Sequence, residues 1–238
     1  MKKIIFIFLS VMAVACAGPR PSLEQAATRY VGAAYVPDPL GEGADAPYDA
    51  DPIRRTDAFD CLTFVETAVS DAGGADLQKI RYAGGKINWF KRNHWTEADW
   101  IPNAVALGLI KPVGTGHSAK TYALVDLRKW YQEKVPAPVA GDAEIIAAAK
   151  PFEMSVPYIP RADLTPELLE SLPAAAIAFF VRCGVENSFA KGDVISHAGF
   201  LFGGDLVHAG QSSGVARVDF LEYVAASKFC GVAVYEMD

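Results

Sequence analysis

The chain has 238 residues, which is enough for one domain with a sizeable buried core. Its composition, 51% hydrophobic and 21% charged, excludes a largely disordered protein. The formal net charge is −6 and no basic cluster is visible, which argues against a nucleic-acid partner because phosphate binding needs clustered Lys and Arg.

The N-terminus has the order of a secretory signal peptide. Lys2 and Lys3 precede an apolar run over residues 4–9, and small residues follow from Ala13. The apolar run is too short to span a bilayer comfortably, and no other stretch is long enough. We therefore predict that residues 1–15 are a signal peptide and that the protein is exported to the periplasm or cell envelope.

Two processing routes are open at the end of this segment. Acylation of Cys16 would make the protein a lipoprotein, whereas ordinary cleavage between small residues would not. A lipid on Cys16 is the one route to the membrane that the sequence indicates. Cleavage before Cys16 removes two of the 22 basic residues and leaves 20 against 28 acids, a charge of −8.

The first elements are a helix, a loop and a second helix. The spacing predicts a helix over residues 23–31, and the prolines, glycines and aspartates of residues 37–57 predict a loop. Asp60 is placed as the N-cap of the next helix, which ends at Gly73 and Gly74.

Cys61 is the first residue of this second predicted helix. The helix N-terminus favours a thiolate, and an imidazole base can take the thiol proton, so a cysteine here is a candidate nucleophile. The alternative is an inert buried cysteine on an amphipathic helix. Position alone leaves both interpretations open.

The centre of the chain predicts mostly helices. They cover residues 103–109, 124–133 and 142–149, and an extended run follows at residues 156–160. Thr165 is the N-cap of a further short helix, with proline in its first turn.

From residue 174 onward the pattern changes to short strands. Helices followed by antiparallel strands predict an α+β fold. Gly203 and Gly204 form a hairpin turn between the second and third strands. The predicted strands cover residues 177–182, 194–202, 206–209, 215–218 and 231–235.

His197 and His208 lie on the two strands of this hairpin. Counting back from the turn places both near one end of the ladder, and side-chain alternation decides whether they share a face. A histidine oriented by a second polar group is the arrangement of a catalytic triad. The alternative for each is a histidine satisfied within the core.

The remaining cysteines, Cys183 and Cys230, each follow or open a strand-like run. In an exported protein they can form a disulfide, and they can equally be free core cysteines. No metal-ligand spacing occurs, so we predict neither a metal nor another cofactor.

Six segments, in order, carry a family resemblance. They resemble the NlpC-type hydrolases, papain-fold cysteine enzymes that cut peptide or amide bonds of the bacterial cell wall, and more narrowly the branch described as N-acetylmuramoyl-L-alanine amidase-like. The resemblance extends from about residue 25 to the C-terminus. The segments are FDCLTFVE (59–66), IRYAGGKI (80–87), HWTEADW (94–100), YIP (158–160), SHAGF (196–200) and LVHA (206–209).

The resemblance implies an architecture. Residues 16–238 would be one catalytic domain with a papain-like (NlpC-type) core, in which the nucleophile-bearing helix packs on an antiparallel sheet. Residues 22–75 and 155–238 would form this core. Residues 76–154 would be a largely helical inserted subdomain that walls the cleft.

The resemblance also implies catalytic roles. Cys61 would be the nucleophile, His197 the base and later the acid, and His208 the residue that orients His197. Tyr35 aligns with a tyrosine beside the nucleophile and would donate to the oxyanion. The alternative for Tyr35 is an ordinary half-buried tyrosine.

Four further residues are candidates for substrate binding. Asp60 caps the helix and would also face the substrate, Arg81 would meet a carboxylate, and His94 lies inside a matching segment. Trp95 would stack on a sugar face. The alternative is that the tryptophan is a core anchor and the charges are a solvated surface.

The expected activity is that of a cysteine amidase cutting the N-acetylmuramoyl-L-alanine bond of peptidoglycan fragments (muropeptides). One alternative is a γ-D-glutamyl-diamino acid endopeptidase on the same scaffold. The other is a non-catalytic cell-wall-binding lipoprotein. The chain departs from the family in its acidic, proline-rich loop 37–57, which flanks Cys61 and therefore bears on substrate range.

Overall fold

The computed structural model describes residues 20–184 and 194–237. The predicted signal peptide, residues 1–15, and the candidate lipidation site, Cys16, lie outside the described residues. Within the described residues, no helix has the length and apolar character needed to cross a membrane.

The N-terminal part brings the start of the second helix beside a short strand pair. The pair is parallel and sets Tyr35 opposite Phe59, two residues before Cys61. Both helices begin with a capping box, made by Ser22 with Gln25 and by Asp60 with Thr63. The elements are α1 (Leu23–Thr28), β1 (Ala34–Tyr35), β2 (Ala58–Phe59) and α2 (Cys61–Asp71).

The central segment is helical in large part, as expected, but two of its strands join the main sheet. The predicted helix over 124–133 begins later, because Asp126 caps it and the residues before Asp126 pair as a strand. The elements are α3 (Leu77–Arg81), α4 (Ile101–Ala106), β3 (Ile110–Pro112), β4 (Ala119–Asp126), α5 (Leu127–Lys134) and α6 (Asp142–Ala148), with a π-helical turn at Thr96–Trp100.

The C-terminal part forms most of one large sheet. In the part of the chain described, eight strands pair antiparallel in the order β4-β5-β10-β6-β7-β8-β9, and β3 pairs with β10. The predicted α+β fold is confirmed. The elements are β5 (Pro151–Pro160), α7 (Pro166–Ser171), β6 (Ala175–Val181), β7 (Ile195–Phe202), β8 (Asp205–Gly210), β9 (Gly214–Asp219), α8 (Phe220–Ala226) and β10 (Gly231–Met237).

Both faces of this sheet are covered. Helix α2 packs its apolar side on one face, where Phe64 meets Phe200. Helices α7 and α8 cover the other face, where Phe220 meets Phe180. A strand buried on both faces needs apolar residues at every position, which explains the continuous run AAIAFFV in β6.

Cys183 and Cys230 form a disulfide, which was one of the two alternatives for this pair. Their Cα atoms lie 5.9 Å apart, and the bond joins the end of β6 to the residue before β10. The disulfide therefore lies at the end of the sheet where β7 begins, because Val181 at the end of β6 pairs with Ile195 at the start of β7.

Candidate active site

His197 and His208 meet across the β7–β8 ladder. His208 lies opposite Gly199, and Nε2 of His197 is 2.8 Å from Nδ1 of His208. A Cβ on Gly199 would lie 2.9 Å from the His208 Cβ, so only glycine leaves room for this approach. The hairpin therefore brings together the two histidines that the sequence predicted, on one face.

Both histidines are neutral in the resting site. Burial, together with a smaller contribution from His208, lowers the pKa of His197 to about 3. Burial also lowers the pKa of His208 to about 4. Because Nε2 of His197 faces His208, Nδ1 is the ring nitrogen that remains for a second partner.

Cys61 lies at the N-terminus of α2 and is a free cysteine. Main-chain hydrogen bonds from Ala198, Leu62 and Cys61 itself reach its sulfur. Ala198 is the neighbour of His197 in β7, so the sulfur is in direct contact with the strand that carries the histidine.

The thiol is protonated, contrary to the lowered pKa expected at a helix N-terminus. Burial, together with a smaller contribution from the charge of Asp60, raises the pKa of Cys61 to about 12. The main-chain N–H groups act in the expected direction, but desolvation of the thiolate outweighs them. Cys61 and His197 are therefore a thiol and an imidazole, not an ion pair.

Tyr35 lies near this thiol. Burial raises the pKa of Tyr35, as do the charges of Cys61 and Asp60, while a hydrogen bond from the side chain of Gln211 opposes the rise. The phenol therefore keeps its proton and can act as a donor. Gln211 was not predicted, because it stands in a turn with no distinguishing pattern.

Three aromatic rings surround the histidine pair, and the sequence predicted a site role for none of them. The ring centroid of Tyr223 is 4.7 Å from that of His208 and 5.8 Å from that of His197. Phe229 lies nearly parallel to His197, at 6.2 Å and 11°, and Phe180 is at 5.2 Å. Tyr223 belongs to α8, a helix that the sequence pattern did not indicate.

A polar pocket of about 190 Å³ opens next to Cys61. Asp60 and Leu62, the residues on either side of the cysteine, are part of its wall. Three of the four predicted substrate-binding residues line it, and Trp95 does not. The lining residues are Asp38, Asp60, Leu62, Thr63, Glu66, Arg81, Arg92, Asn93, His94 and Trp130.

The carboxylate of Asp60 is occupied by protein donors. Its Oδ1 accepts from the N–H and hydroxyl of Thr63, each at 2.7 Å, and its Oδ2 accepts from the N–H of Asp38 at 3.1 Å. The N-cap prediction is confirmed. Asp60 therefore holds the loop 37–57 against the helix that carries Cys61.

Arg81 is an internal anchor beneath the pocket. It is 2% exposed, donates from Nη1 to Glu66 at 3.0 Å and donates from Nη2 to the carbonyl of Leu40 at 2.9 Å. Burial raises the pKa of Glu66 to about 7, although Arg81 opposes that rise. Arg81 therefore joins α2, α3 and the loop, and its two terminal nitrogens are already bonded.

His94 and Trp95 have different positions in the wall. Nε2 of His94 donates to the carbonyl of Trp89 at 2.8 Å, which fixes the tautomer and leaves Nδ1 as an acceptor. Burial lowers the pKa of His94 to about 3. Trp95 is 7% exposed and packs against Trp130, so it supports the wall from behind.

Arg92 organises the mouth of the pocket. It forms ion pairs with Asp38, Glu42 and Asp49, all in the acidic loop. Asp38 has a left-handed backbone, φ 46°, and its N–H is the donor to Asp60. The guanidinium of Arg92 therefore holds the acidic loop beside the pocket through these three ion pairs. The sequence did not predict this role.

Across residues 20–184 and 194–237, no group of three or more His, Cys, Asp or Glu is arranged to hold a metal ion. The histidine pair has one hydrogen bond between its rings and three aromatic neighbours. The absence of a metal or cofactor from the reaction stays a prediction.

The chain belongs to the AmiA-like family, described as N-acetylmuramoyl-L-alanine amidase-like, whose model matches residues 25–232. Membership supports a peptidoglycan amidase-like function, and hence a hydrolase acting on peptidoglycan. No match to the chain was found among curated proteins.

Solved structures share this fold. One from Legionella pneumophila is 24% identical over 90% of this chain and 87% of its own, with a TM-score of 0.77. An N-acetylmuramoyl-L-alanine amidase from Bacteroides uniformis is 23% identical over 91% of this chain and 98% of its own, with a TM-score of 0.68. At these identities the likeness concerns the fold alone.

Proposed function

We propose that this chain is a cysteine amidase with a papain-like, NlpC-type core that hydrolyses the N-acetylmuramoyl-L-alanine bond of peptidoglycan or muropeptides. One observation carries the proposal. The sulfur of Cys61 contacts the main chain of Ala198, next to His197, and the 2.8 Å contact to His208 leaves Nδ1 of His197 for the thiol. The family match supports the substrate.

The first step starts from a neutral pair. As the sulfur of Cys61 attacks the lactyl carbonyl carbon, Nδ1 of His197 takes the thiol proton, and a C–S bond forms while the carbonyl oxygen becomes an oxyanion. Tyr35 and the main-chain N–H groups at the start of α2 are the available donors to this oxyanion. Removal of one such donor costs about 2.7–4 kcal/mol elsewhere.

The second step releases the peptide. His197 returns the proton to the nitrogen of L-alanine, the C–N bond breaks, and the muramoyl group remains as a thioester on Cys61. Water, deprotonated by His197, then cleaves the thioester. The products are a stem peptide with a free L-alanine amine and a sugar with a free lactyl carboxylate.

The pocket beside Cys61 would hold the stem peptide. Its mixed charge suits a polar peptide, and Nδ1 of His94 is a neutral acceptor for a peptide N–H. In this proposal Asp60, Arg81 and Trp95 act mainly by shaping the pocket, since their polar groups or faces already have protein partners.

The proposal includes the cellular setting. An exported enzyme, with a signal peptide at residues 1–15 and a lipid on Cys16 as the possible tether, would meet peptidoglycan in the periplasm or cell envelope. The partners are muropeptides, with no nucleic acid.

The decisive experiment is mass spectrometry of muropeptides incubated with the mature protein, beside Cys61→Ala. We expect free stem peptide beginning with L-alanine from the wild type and none from the variant. EDTA should leave the activity unchanged, while iodoacetamide should abolish it.

Two outcomes would replace the proposal. A sugar-linked dipeptide would identify the endopeptidase, and binding without turnover, indifferent to Cys61→Ala, would identify the cell-wall-binding protein. Retained activity after complete alkylation of Cys61 would disprove the cysteine mechanism.

A further inference from the structure

The imidazolium that forms when His197 takes the thiol proton has no carboxylate partner in the described part of the chain. His197 is hydrogen-bonded to His208, and neither ring is hydrogen-bonded to a carboxylate there. Among the described titratable groups, Tyr223 from α8 contacts both rings, and the charge of Cys61 from α2 acts on Tyr223. Apart from the negative charge of the reacting sulfur or oxyanion, the stabilisation of this imidazolium must therefore come from neutral neighbours.

Aromatic rings, not carboxylates, surround the histidine pair in the part of the chain that the structure describes. Phe229 lies nearly parallel to His197 with ring centroids 6.2 Å apart, and the ring centroid of Tyr223 is 4.7 Å from that of His208 and 5.8 Å from that of His197. The face of an aromatic ring is negative, so a cation within about 6 Å of the ring centroid is attracted to it. A neutral imidazole gains little from the same contact.

We propose that Tyr223 and Phe229 are positioning residues that hold the His197–His208 pair and stabilise its protonated form during catalysis. The inference rests on the proposed function, since it assumes that His197 takes the proton of Cys61. It assigns the aromatic faces the electrostatic role that a carboxylate has in a Ser-His-Asp triad.

The two rings are themselves held in place. Tyr223 lies on α8 between Phe220 and Val224, which are 0% and 2% exposed and fix the helix on the sheet. Phe229 precedes Cys230, whose N–H donates to the carbonyl of Val181 at 2.9 Å and whose sulfur is in the disulfide. The rings therefore belong to the rigid part of the fold.

The low pKa values of the two histidines fit this role. Burial makes the pair reluctant to accept a proton, so the catalytic step requires a compensating interaction that acts on the cation alone. Tyr223 is also protonated, since burial and the Cys61 charge raise its pKa to about 12, so its ring acts without a phenolate charge.

The test compares Tyr223→Leu and Phe229→Leu with the wild type, because leucine keeps the site apolar while removing the ring. Tyr223→Phe keeps the ring and removes the hydroxyl. Phe220→Leu is the matched control, as it removes a buried ring of the same helix that contacts Phe180 rather than the histidines. Activity on muropeptides and the rate of Cys61 alkylation by iodoacetamide are both measured.

We expect each ring-removing variant at Tyr223 or Phe229 to lower kcat about tenfold, the size of a cation–π contact, with KM within about twofold. Alkylation of Cys61 should slow similarly, because less thiolate–imidazolium pair forms. The acid limb of kcat/KM should move to lower pH, since loss of the rings weakens the base. Tyr223→Phe and Phe220→Leu should keep wild-type values.

Unchanged kcat, alkylation rate and pH profile in Tyr223→Leu and Phe229→Leu would overturn the inference, as would an equal loss in Phe220→Leu. A loss in Tyr223→Phe equal to that in Tyr223→Leu would assign the role to the hydroxyl and also overturn it. Alkylation needs no muropeptide, so this comparison stands even if the wild type releases no stem peptide, which is the failure of the proposed function.

Discussion

At the scale of single residues, the candidate site combines a thiol that resists ionisation with a base that resists protonation. Burial produces both effects, raising the pKa of Cys61 to about 12 and lowering that of His197 to about 3. The two shifts favour the neutral pair, so in the proposed mechanism proton transfer to His197 would accompany attack of the sulfur on the substrate.

Asp60 contributes to this restraint. Its negative charge is the second cause of the raised pKa of Cys61, after burial. Asp60→Asn removes the charge but keeps an oxygen that accepts from the N–H of Thr63, so the helix cap is preserved. Asp60→Ala removes the cap as well, which would lower the free energy of unfolding by about 0.5–2 kcal/mol. We expect Asp60→Asn to lower the pKa of Cys61 and to shift the pH dependence of iodoacetamide alkylation to lower pH.

Asp57→Asn is the matched control for this prediction, since Asp57 pairs with Arg55 and is not among the groups that act on the thiol. An alkylation profile of Asp60→Asn that coincides with those of Asp57→Asn and the wild type would mean that the charge of Asp60 has no effect on Cys61.

At the scale of elements, the site depends on how closely β7 and β8 approach. The strands carry the two histidines, and Gly199 is the residue that permits the contact. A Cβ there would lie 2.8 Å from Leu206, 2.9 Å from the His208 Cβ and 2.9 Å from the carbonyl of Val207. The His208 Cβ and the Val207 main-chain oxygen are fixed by the backbone of β8, so they cannot move aside as the end of a flexible side chain can.

Gly199→Ala should therefore separate the two strands and lengthen the contact between the histidines. We expect a loss of about 1–3 kcal/mol in the free energy of unfolding, as for overpacked sites, and at least a tenfold loss of kcat. Urea denaturation and muropeptide assays measure the two quantities.

Gly204→Ala, in the turn of the same hairpin, is the control. A Cβ at Gly204 would meet nothing within 4 Å, and no left-handed φ forbids it. Wild-type stability and activity in Gly199→Ala, or equal losses in both variants, would contradict the argument from close approach.

At the scale of the whole molecule, three connections hold the site together. The Glu66–Arg81 ion pair joins α2 to α3, Arg92 closes the acidic loop over the pocket, and the disulfide joins β6 to β10. The first joins consecutive helices, and the other two join segments more than 40 residues apart. The pocket is therefore a property of the folded domain, not of any one segment.

The disulfide is expected to stabilise the whole domain. Its cysteines are 47 residues apart, and bridges that close loops of this size contribute about 2–5 kcal/mol by restricting the unfolded chain. We expect the double variant Cys183→Ser, Cys230→Ser to lose that much in urea denaturation. A reducing agent should weaken the wild type by a similar amount and leave the double variant unchanged.

Identical unfolding curves for the double variant and the wild type would show that the bond does not stabilise the domain. Because the double variant and the wild type both retain Cys61, any difference in their stability comes from the disulfide and not from Cys61. The residual kcat of the double variant reports how far the disulfide positions Phe229 beside His197.

The sequence by itself determined what depends on near neighbours along the chain. Capping residues such as Asp60 and Thr165, the hairpin at Gly203 and Gly204, and the periodicity of α2 are local, so the helix starts and most strands were predictable. The ordered motifs also indicated Cys61, His197 and His208. Whether these three act together in catalysis stays a prediction.

Only the tertiary structure decided what depends on distant neighbours. Arg81 was predicted to meet a substrate carboxylate, but closure of the loop over α2 buries it, and its terminal nitrogens bond to Glu66 and Leu40. The thiol of Cys61 reads as activated, yet packing against β7 protonates it, and α8 brings Tyr223 to the histidines. Burial is a collective property of the folded chain, and pKa values and partners follow from burial, which is why a linear pattern does not contain them.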